Sequence, residues 1–400
     1  MRAGDGDVLH GYRLLGDFQV VGAGLSEWTF AERGGRVYFI KRFLAPTYPD
    51  DAAPGSPTTK ARKRARCAAF EAHHKGIQAA MAPLTSYGGN LIATLDFFRE
   101  GAKYYKVTEK VDVAGLEPAD VAALGFPAQL VLLKTVAHSL KILHDLNIVH
   151  SDLKPSNVMI KRTELGYTTK LIDFDSSYLV GSPPPPEEIV GTMNYYSPEL
   201  VSYIQGGAGA DRLNQASDIF TLGLIYAEYL TGALPAFDPT SSSAAIAVLK
   251  GTVLRVTPGR VPPPVVALVE RMLLADPAAR PSVAEVHGTL MAQRGGTATV
   301  GRAPMPTRPP GVRPTVPSVP AAPRAPVSTS TLRGKGLRVA GDAARRAVAV
   351  ARPATSAPRP VAPVTHPAPP VIPPADEPAP GLGRALLGKL IGKLENRRPR

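Results

Sequence analysis

Cysteine is almost missing from this 400-residue chain: Cys67 is the only one, and Trp28 is likewise the single tryptophan. One thiol excludes an intramolecular disulfide, and nothing suggests an oxidising compartment. No run of about 18 or more apolar residues occurs, so no helix long enough to cross a membrane is expected. The opening MRAGDGDVLHGY lacks the apolar stretch of a secretion signal. These absences predict a cytoplasmic protein. Aromatic residues are absent after residue 293, although half of the 42 prolines lie there. Acids are scarce there too, with four Asp and Glu against 18 Lys and Arg, a surplus of +14 in a chain whose net charge is +13. The basic character therefore belongs to the tail, and the rest sums to −1. A proline-rich, aromatic-free, highly charged segment cannot bury enough apolar surface to offset chain entropy. The composition predicts one globular unit over 8–292 and disorder over most of 293–400.

Within the globular part, the most informative run is His150-Ser151-Asp152-Leu153-Lys154-Pro155-Ser156-Asn157, followed sixteen residues after Asn157 by Asp173 in LIDFD. An Asp and an Asn five apart on a tight loop, then a second Asp, suit metal-dependent phosphoryl transfer. One carboxylate meets the acceptor hydroxyl, while an amide and another carboxylate hold the metal on the nucleotide phosphates. Upstream, Tyr12 to Phe43 alternates apolar and polar residues with glycine breaks, as a small antiparallel sheet does. Gly22 and Gly24 sit at its first turn, where missing Cβ atoms let backbone amides approach phosphate oxygens. Lys41, seventeen residues beyond Gly24, ends the strand-like Val37-Tyr38-Phe39-Ile40-Lys41. Between Asp51 and Asp96 the only acid is Glu71, in a stretch whose Phe70, Ile77, Met81 and Leu84 have helical spacing. That stretch opens with Lys60, Arg62, Lys63, Arg64 and Arg66, read as a solvated face or as a docking surface for an acidic partner. Gln129 to Leu146 is a second strongly periodic helical segment.

Together these motifs resemble those of the eukaryotic-like (Hanks-type) serine/threonine protein kinases, in order and over about 285 residues. The resemblance implies an α+β, two-lobed fold over 8–292. A small antiparallel β-sheet lobe covers about 8–109 and a larger, mainly helical lobe about 113–292, followed by a disordered, basic, Pro-rich tail. It implies ATP as phosphate donor, with Mg2+ (Mn2+ as an alternative) as the metal. Asp152 is then the catalytic base, Lys154 neutralises charge on the transferred group, and Thr192 hydrogen-bonds both. Asn157 and Asp173 hold the metal. Gly22, Gly24 and Lys41 contact phosphates, Glu71 is the ion-pair partner of Lys41, and Glu109 to Val111 give backbone hydrogen bonds to adenine. Thr108 guards the rear of that pocket, and being small it implies room for bulky inhibitors. His150 packs near Phe174, Asp218 braces the catalytic loop, and Glu199 pairs with Arg280.

Three positions depart from the family pattern: Glu27 for the third glycine, Ser151 for an arginine that reads activation-loop phosphate, and Asp175 for the glycine of DFG. They motivate a nucleotide-binding scaffold with little turnover as the alternative reading. The DFD run also resembles small-molecule phosphotransferases, but Gly191-Thr192 with Ser197-Pro198-Glu199 resembles the peptide-substrate loop of protein kinases and favours protein substrates. Pro183 to Pro186 stiffen this loop, and Ser176, Ser177 and Ser182 are candidate self-phosphorylation sites.

In the tail, Pro314, Pro317, Pro320, Pro323 and Pro326 recur every three residues, a polyproline II edge that reads as a spacer or a docking strip. The linker is placed at 293–380. In 381–400, Leu382, Leu386, Leu390 and Leu394 alternate with Arg384, Lys389, Lys393, Arg397, Arg398 and Arg400, a basic amphipathic segment. It suits a protein partner or an anionic membrane surface, which would make the chain peripheral to the membrane. Nucleic acid ranks last, because the tail has no aromatic side chain for stacking.

Overall fold

The computed structural model describes residues 6–293 except 22–25, 51, 53, 88, 165, 258 and 260. The expectations for Gly22, Gly24, the 293–380 linker and the 381–400 segment lie outside the described residues. The first part of the chain builds one sheet from β1 (Val8–Leu9), β2 (Tyr12–Leu14), β3 (Gln19–Val21), β4 (Ser26–Arg33) and β5 (Arg36–Phe43), with one helix, α1 (Pro57–Met81), and the hairpin β6 (Asp96–Glu100) and β7 (Lys103–Glu109). All pairings are antiparallel, in the order β1-β2-β4-β5-β7-β6, with β3 on β4. The β4–β5 hairpin turns at Gly34 and Gly35, whose φ values of 60° and 75° are those a two-residue turn needs to match strand twist.

Strand alternation sorts β5 by face. Ile40 packs with Leu14, Ala31 and Val107 on one side. Phe43 packs with Cys67, Phe97 and Tyr104 on the other, against α1. Helix α1 starts where Ser56 caps the Thr59 amide and Pro57 supplies a preset φ. Lys41 lies on the α1 side of the sheet and is directly opposite Lys106 of β7. Two like charges in direct cross-strand register repel, so the sheet alone disfavours this pair.

The second part is helical, around α2 (Pro118–Ala122), α3 (Phe126–Asp145), α4 (Pro198–Ile204), α5 (Gln215–Thr231), α6 (Ala244–Leu249), α7 (Pro263–Met272) and α8 (Val283–Ala292). Two short ladders, β8 (Ile148–Val149) with β11 (Tyr178–Leu179) and β9 (Val158–Thr163) with β10 (Gly166–Leu171), carry the loops between α3 and α4. Helix α5 is buried on nearly every face, with Phe220, Leu222, Leu224, Ile225 and Tyr226 fully enclosed. Such an all-round apolar helix must sit at the centre of its lobe. Gly223 lets α7 approach it: a Cβ there would sit 3.0 Å from both Met272 and Leu273. A left-handed Gly232 ends the helix.

The Glu199–Arg280 expectation matches a bidentate pair, 2.7 Å and 2.9 Å, with side chains 4% and 0% exposed. Arg280 also donates to the carbonyls of Ala216, Leu274 and Ala275, and Ser217 Oγ donates to Glu199. The pair ties α4 to the segment after α7. Removing one member of such a pair leaves the other charged and buried, at a cost of about 3–5 kcal/mol. Glu199→Ala is therefore expected to lose that much in urea unfolding. A loss under about 1 kcal/mol would show that the carbonyls alone satisfy the guanidinium.

Candidate active site

The loops after β8 and after β10 are each held in a costly shape. Ser151 and Asp173 both have left-handed backbones, φ 68° and 63°, which cost of order 1–3 kcal/mol each at non-glycine residues. Asp218, near the start of α5, offsets this at the first. Its carboxylate accepts from the amides of His150 (2.7 Å) and Ser151 (2.9 Å) and faces His144 Nε2 at 3.0 Å. His150 is wholly buried, its Nε2 lies 3.1 Å from the Ile172 carbonyl, and its ring centroid is 5.1 Å from that of Phe174. That is a packing role, not a ligand or base.

Asp152 follows this bracket and is fixed from three sides. Lys154 Nζ donates to its Oδ2 at 2.8 Å and to Thr192 Oγ1 at 3.2 Å. Asn157 Nδ2 donates to the Asp152 carbonyl at 2.7 Å and to Oδ2 at 3.3 Å. The remaining approach is set by Gly191, where a Cβ would stand 3.2 Å from Asp152 Oδ1 and 2.8 Å from the Tyr196 ring. Glycine is thus required by close approach rather than by φ. An open cleft of about 430 Å³ lies alongside, lined by Lys154, Pro155, Ser156, Thr192, Tyr195 and Glu228 among others.

On the other side of the loop four charges meet. Lys41 Nζ lies 3.0 Å and 3.1 Å from the two oxygens of Asp173 and 2.6 Å from Asp175 Oδ2. Lys106 Nζ reaches Asp173 Oδ1 at 3.1 Å and makes a short bond to Asp175 Oδ1. Burial opposes ionisation of Asp175, yet the ammonium groups of Lys106 and Lys41 hold its carboxyl well below the usual carboxylate range. Burial likewise disfavours the charge on Lys41, and Asp175 and Asp173 outweigh it, raising its affinity for the proton. The two carboxylates therefore answer the two cross-strand cations.

Glu71 is not part of this group, which corrects the expectation that it pairs with Lys41. Its Oε1 accepts from Tyr104 OH at 2.8 Å, and Lys75 is 3.5 Å away. The side chains of α1 that meet the cluster are instead His73 and His74. His73 Nε2 lies 3.1 Å from the Asp175 carbonyl, and His74 Nδ1 lies 4.0 Å from its carboxylate. Burial pushes His74 down to about 4, against the pull of Asp175, so it is a neutral ring at neutral pH. Lys106 and His74 went unread in the sequence. A lysine at an inward position of a strand otherwise built from Tyr104, Tyr105 and Val107 was the available signal for the first.

Trp28 is paired with Lys41 in register and so shares its face of the sheet, stacked on Phe39 with centroids 5.5 Å apart and edge-on to Phe30 at 5.1 Å. Glu27 is held by Arg42, 2.7 Å from Nε. Thr108 pairs with Phe39 near the end of β7, Glu109 closes that strand and binds Lys170 of β10 at 2.7 Å, and Val111 lies in the extended stretch beyond. Lys106, two residues before Thr108 on the same face of β7, is buried and ion-paired with Asp173 and Asp175. Ser177 is wholly buried and donates to the His150 carbonyl, so it is no modification site in this fold. Ser176 donates to the Val190 carbonyl.

Asn157 and Asp173 offer an amide carbonyl and a carboxylate, hard oxygen donors suited to Mg2+ or Mn2+. No cluster of three or more His, Cys, Asp or Glu that could hold a metal occurs among the described residues. That set fits an ion bound by two side chains and completed by phosphates, the usual way Mg2+ is held at nucleotide sites.

A carboxylate bridged by lysine to a threonine and bonded by an amide thus sits in the helical lobe of a two-lobed fold. The chain belongs to the protein kinase family: the model of the protein kinase domain matches residues 78–290, more than half of it. The ovarian-specific serine/threonine-protein kinase Lok of Drosophila melanogaster is 33% identical over 153 residues, 38% of this chain and 31% of that protein. The serine/threonine-protein kinase pkn2 of Myxococcus xanthus is 31% identical over 195 residues, 44% of this chain and 22% of that one. A serine/threonine-protein kinase of Corynebacterium efficiens, drp72, is 33% identical over 125 residues, 30% and 22% respectively. The chain thus spans less than a third of the length of these three relatives. The family match starts after Lys41, His73 and His74, so the unusual cluster lies partly outside it.

Gly191→Ala tests the close approach to Asp152. Displacing a catalytic group by a fraction of an ångström is expected to lower kcat about 10–100-fold with little change in melting temperature. An unchanged kcat would show that Tyr196 yields instead.

Proposed function

We propose that this chain transfers the γ-phosphate of ATP to serine or threonine hydroxyls of proteins, itself included. The observation that carries the reading is the Asp152–Lys154–Thr192 chain of hydrogen bonds at the edge of an open cleft. Asp152 orients the acceptor hydroxyl and takes its proton. Lys154, already bonded to Asp152, places a cation where charge develops on the transferred group. Thr192 fixes that lysine and ties it to the segment that would hold a peptide. Lys41 grips the α- and β-phosphates, with the backbone at Gly22 and Gly24 covering them, while Glu109 and Val111 offer backbone groups to adenine. Asn157 and Asp173 would hold Mg2+, or Mn2+ in its place, and the cation would draw off negative charge from the phosphates. His150, Asp218, Glu199 and Arg280 hold the frame. A scaffold without turnover is less well supported, since each charged position the chemistry requires is filled.

Among the described residues no helix is long and apolar enough to cross a membrane, and the lone Cys67 is buried and free. We place the chain in the cytoplasm, with 381–400 as a segment for a protein partner or an anionic bilayer. Sedimentation with anionic vesicles, with and without 381–400, separates the two.

Asp152→Asn is expected to lower phosphate incorporation from radiolabelled ATP by about 10²–10⁴-fold. Incorporation that is equal in both chains, or absent from both, would overturn the enzyme reading.

A further inference from the structure

The described structure contains one acid close to Lys41 that the phosphotransfer chemistry does not use. We propose that Asp175 is the positioning residue for Lys41, so that Asp173-Phe174-Asp175 supplies both the metal-side carboxylate and the acid that aims the phosphate-binding lysine. The proposal rests on the kinase reading and deepens it.

Four observations converge. First, Lys41 and Lys106 stand directly opposite each other on β5 and β7, so their side chains leave the same face of the sheet and repel. Second, Asp175 meets both of them, at 2.6 Å from Lys41 and by a short bond from Lys106. Third, α1 offers no carboxylate there: Glu71 is engaged by Tyr104, and the residues facing the cluster are His73 and His74. Fourth, the cluster is balanced, with two cations, two carboxylates and the Lys106 side chain only 5% exposed. Asp173 is shared in this arrangement, because a metal ion on its carboxylate would compete with the two lysines it already meets. When nucleotide and metal engage Asp173, Asp175 keeps both ammonium groups in place. Lys106 locks Asp175 from the far side, so the carboxylate cannot swing away from Lys41. The lysine is thereby tied to the metal loop itself and not to a carboxylate of α1. That helix meets the pair through two histidine rings, His73 on the Asp175 backbone and His74 at 4.0 Å from its carboxylate.

Without Asp175, both lysines fall on Asp173, and nucleotide and metal must compete with them. Binding of MgADP, followed through the single Trp28 on the Lys41 face, reads this without turnover. For Asp175→Asn the MgADP Kd is expected to rise about 10–100-fold, the loss of one charge-assisted contact. The Mg2+ concentration for half-maximal phosphorylation should rise with it, a shift that a merely structural residue would not produce. Glu71→Gln should bind MgADP as the parent does. Because Asp175→Asn leaves an unbalanced buried cation, Asp175→Asn/Lys106→Met serves as the charge-balanced companion; it should fold and still bind MgADP weakly. MgADP binding equal to the parent in either Asp175 variant overturns the proposal. So does an equal loss in Glu71→Gln, or a failure of both Asp175 variants to fold, which would assign the carboxylate to stability alone. A parent chain that binds MgADP but transfers no phosphate overturns the kinase reading and leaves this proposal to the binding results.

Discussion

The carboxylate of Asp218 is the contact on which the geometry of the site depends. It accepts two consecutive backbone amides, those of His150 and Ser151, and so holds a non-glycine residue in a left-handed conformation next to Asp152. A single apolar helix carries it: α5 is anchored by burial on all sides, and its first turn points Asp218 at the loop. His144 on α3 faces the same carboxylate, so two helices and one loop share a point. Burial makes these bonds strong because no water competes for the donors. From that point outward, Asp152, Lys154, Thr192 and Asn157 follow by hydrogen bonds of 2.7–3.3 Å, each close in sequence or brought in by the Gly191 approach.

Ion-pair balance governs the other half of the site. A sheet that places Lys41 and Lys106 opposite each other would be self-repelling, and a loop that places Asp173 and Asp175 two residues apart would be self-repelling as well. Each pair stabilises the other only when the two lobes come together. The cluster therefore acts as a lobe-to-lobe clasp, joining strands of the small sheet to the loop beside β9 and β10. Lys170 with Glu109 makes a second, more exposed link between the same two regions. Surface pairs of that kind contribute little; the backbone of Ile92 bonded to Leu171 and the apolar cluster that includes Ile77, Met81 and Leu91 join the same regions.

What could be read from residues alone follows a physical line. His150 to Asn157, Asp173, Glu199 and Arg280 were legible through the family resemblance of the short runs that carry them, each a tight loop or a helix end. The periodicity of Gln129 to Leu146 likewise matches α3, which spans Phe126–Asp145. The partner of Lys41 was not legible. Choosing Glu71 relied on its being the lone acid of its stretch, and scarcity says nothing about which way a side chain faces on a 25-residue helix. His74, three residues on, is the side chain that lies 4.0 Å from the Asp175 carboxylate. Asp175 was visible as a departure, but its meaning depends on Lys106, which lies 69 residues away in sequence and meets it only through the register of β5 against β7. Cross-strand register is a tertiary property, set by hairpin turns and by which face is buried.

The clasp also decides how this site meets electrophiles. An amine attacks an acyl or sulfonyl centre only in its free-base form, which is why reactive lysines are those whose proton is loosely held. Lys41 is the opposite case, since two carboxylates keep it an ammonium. Covalent ligands aimed at the lysine of a nucleotide pocket would therefore meet a protonated, ion-paired target here. The acids that fix the Lys41 ammonium in place also make it a poor nucleophile.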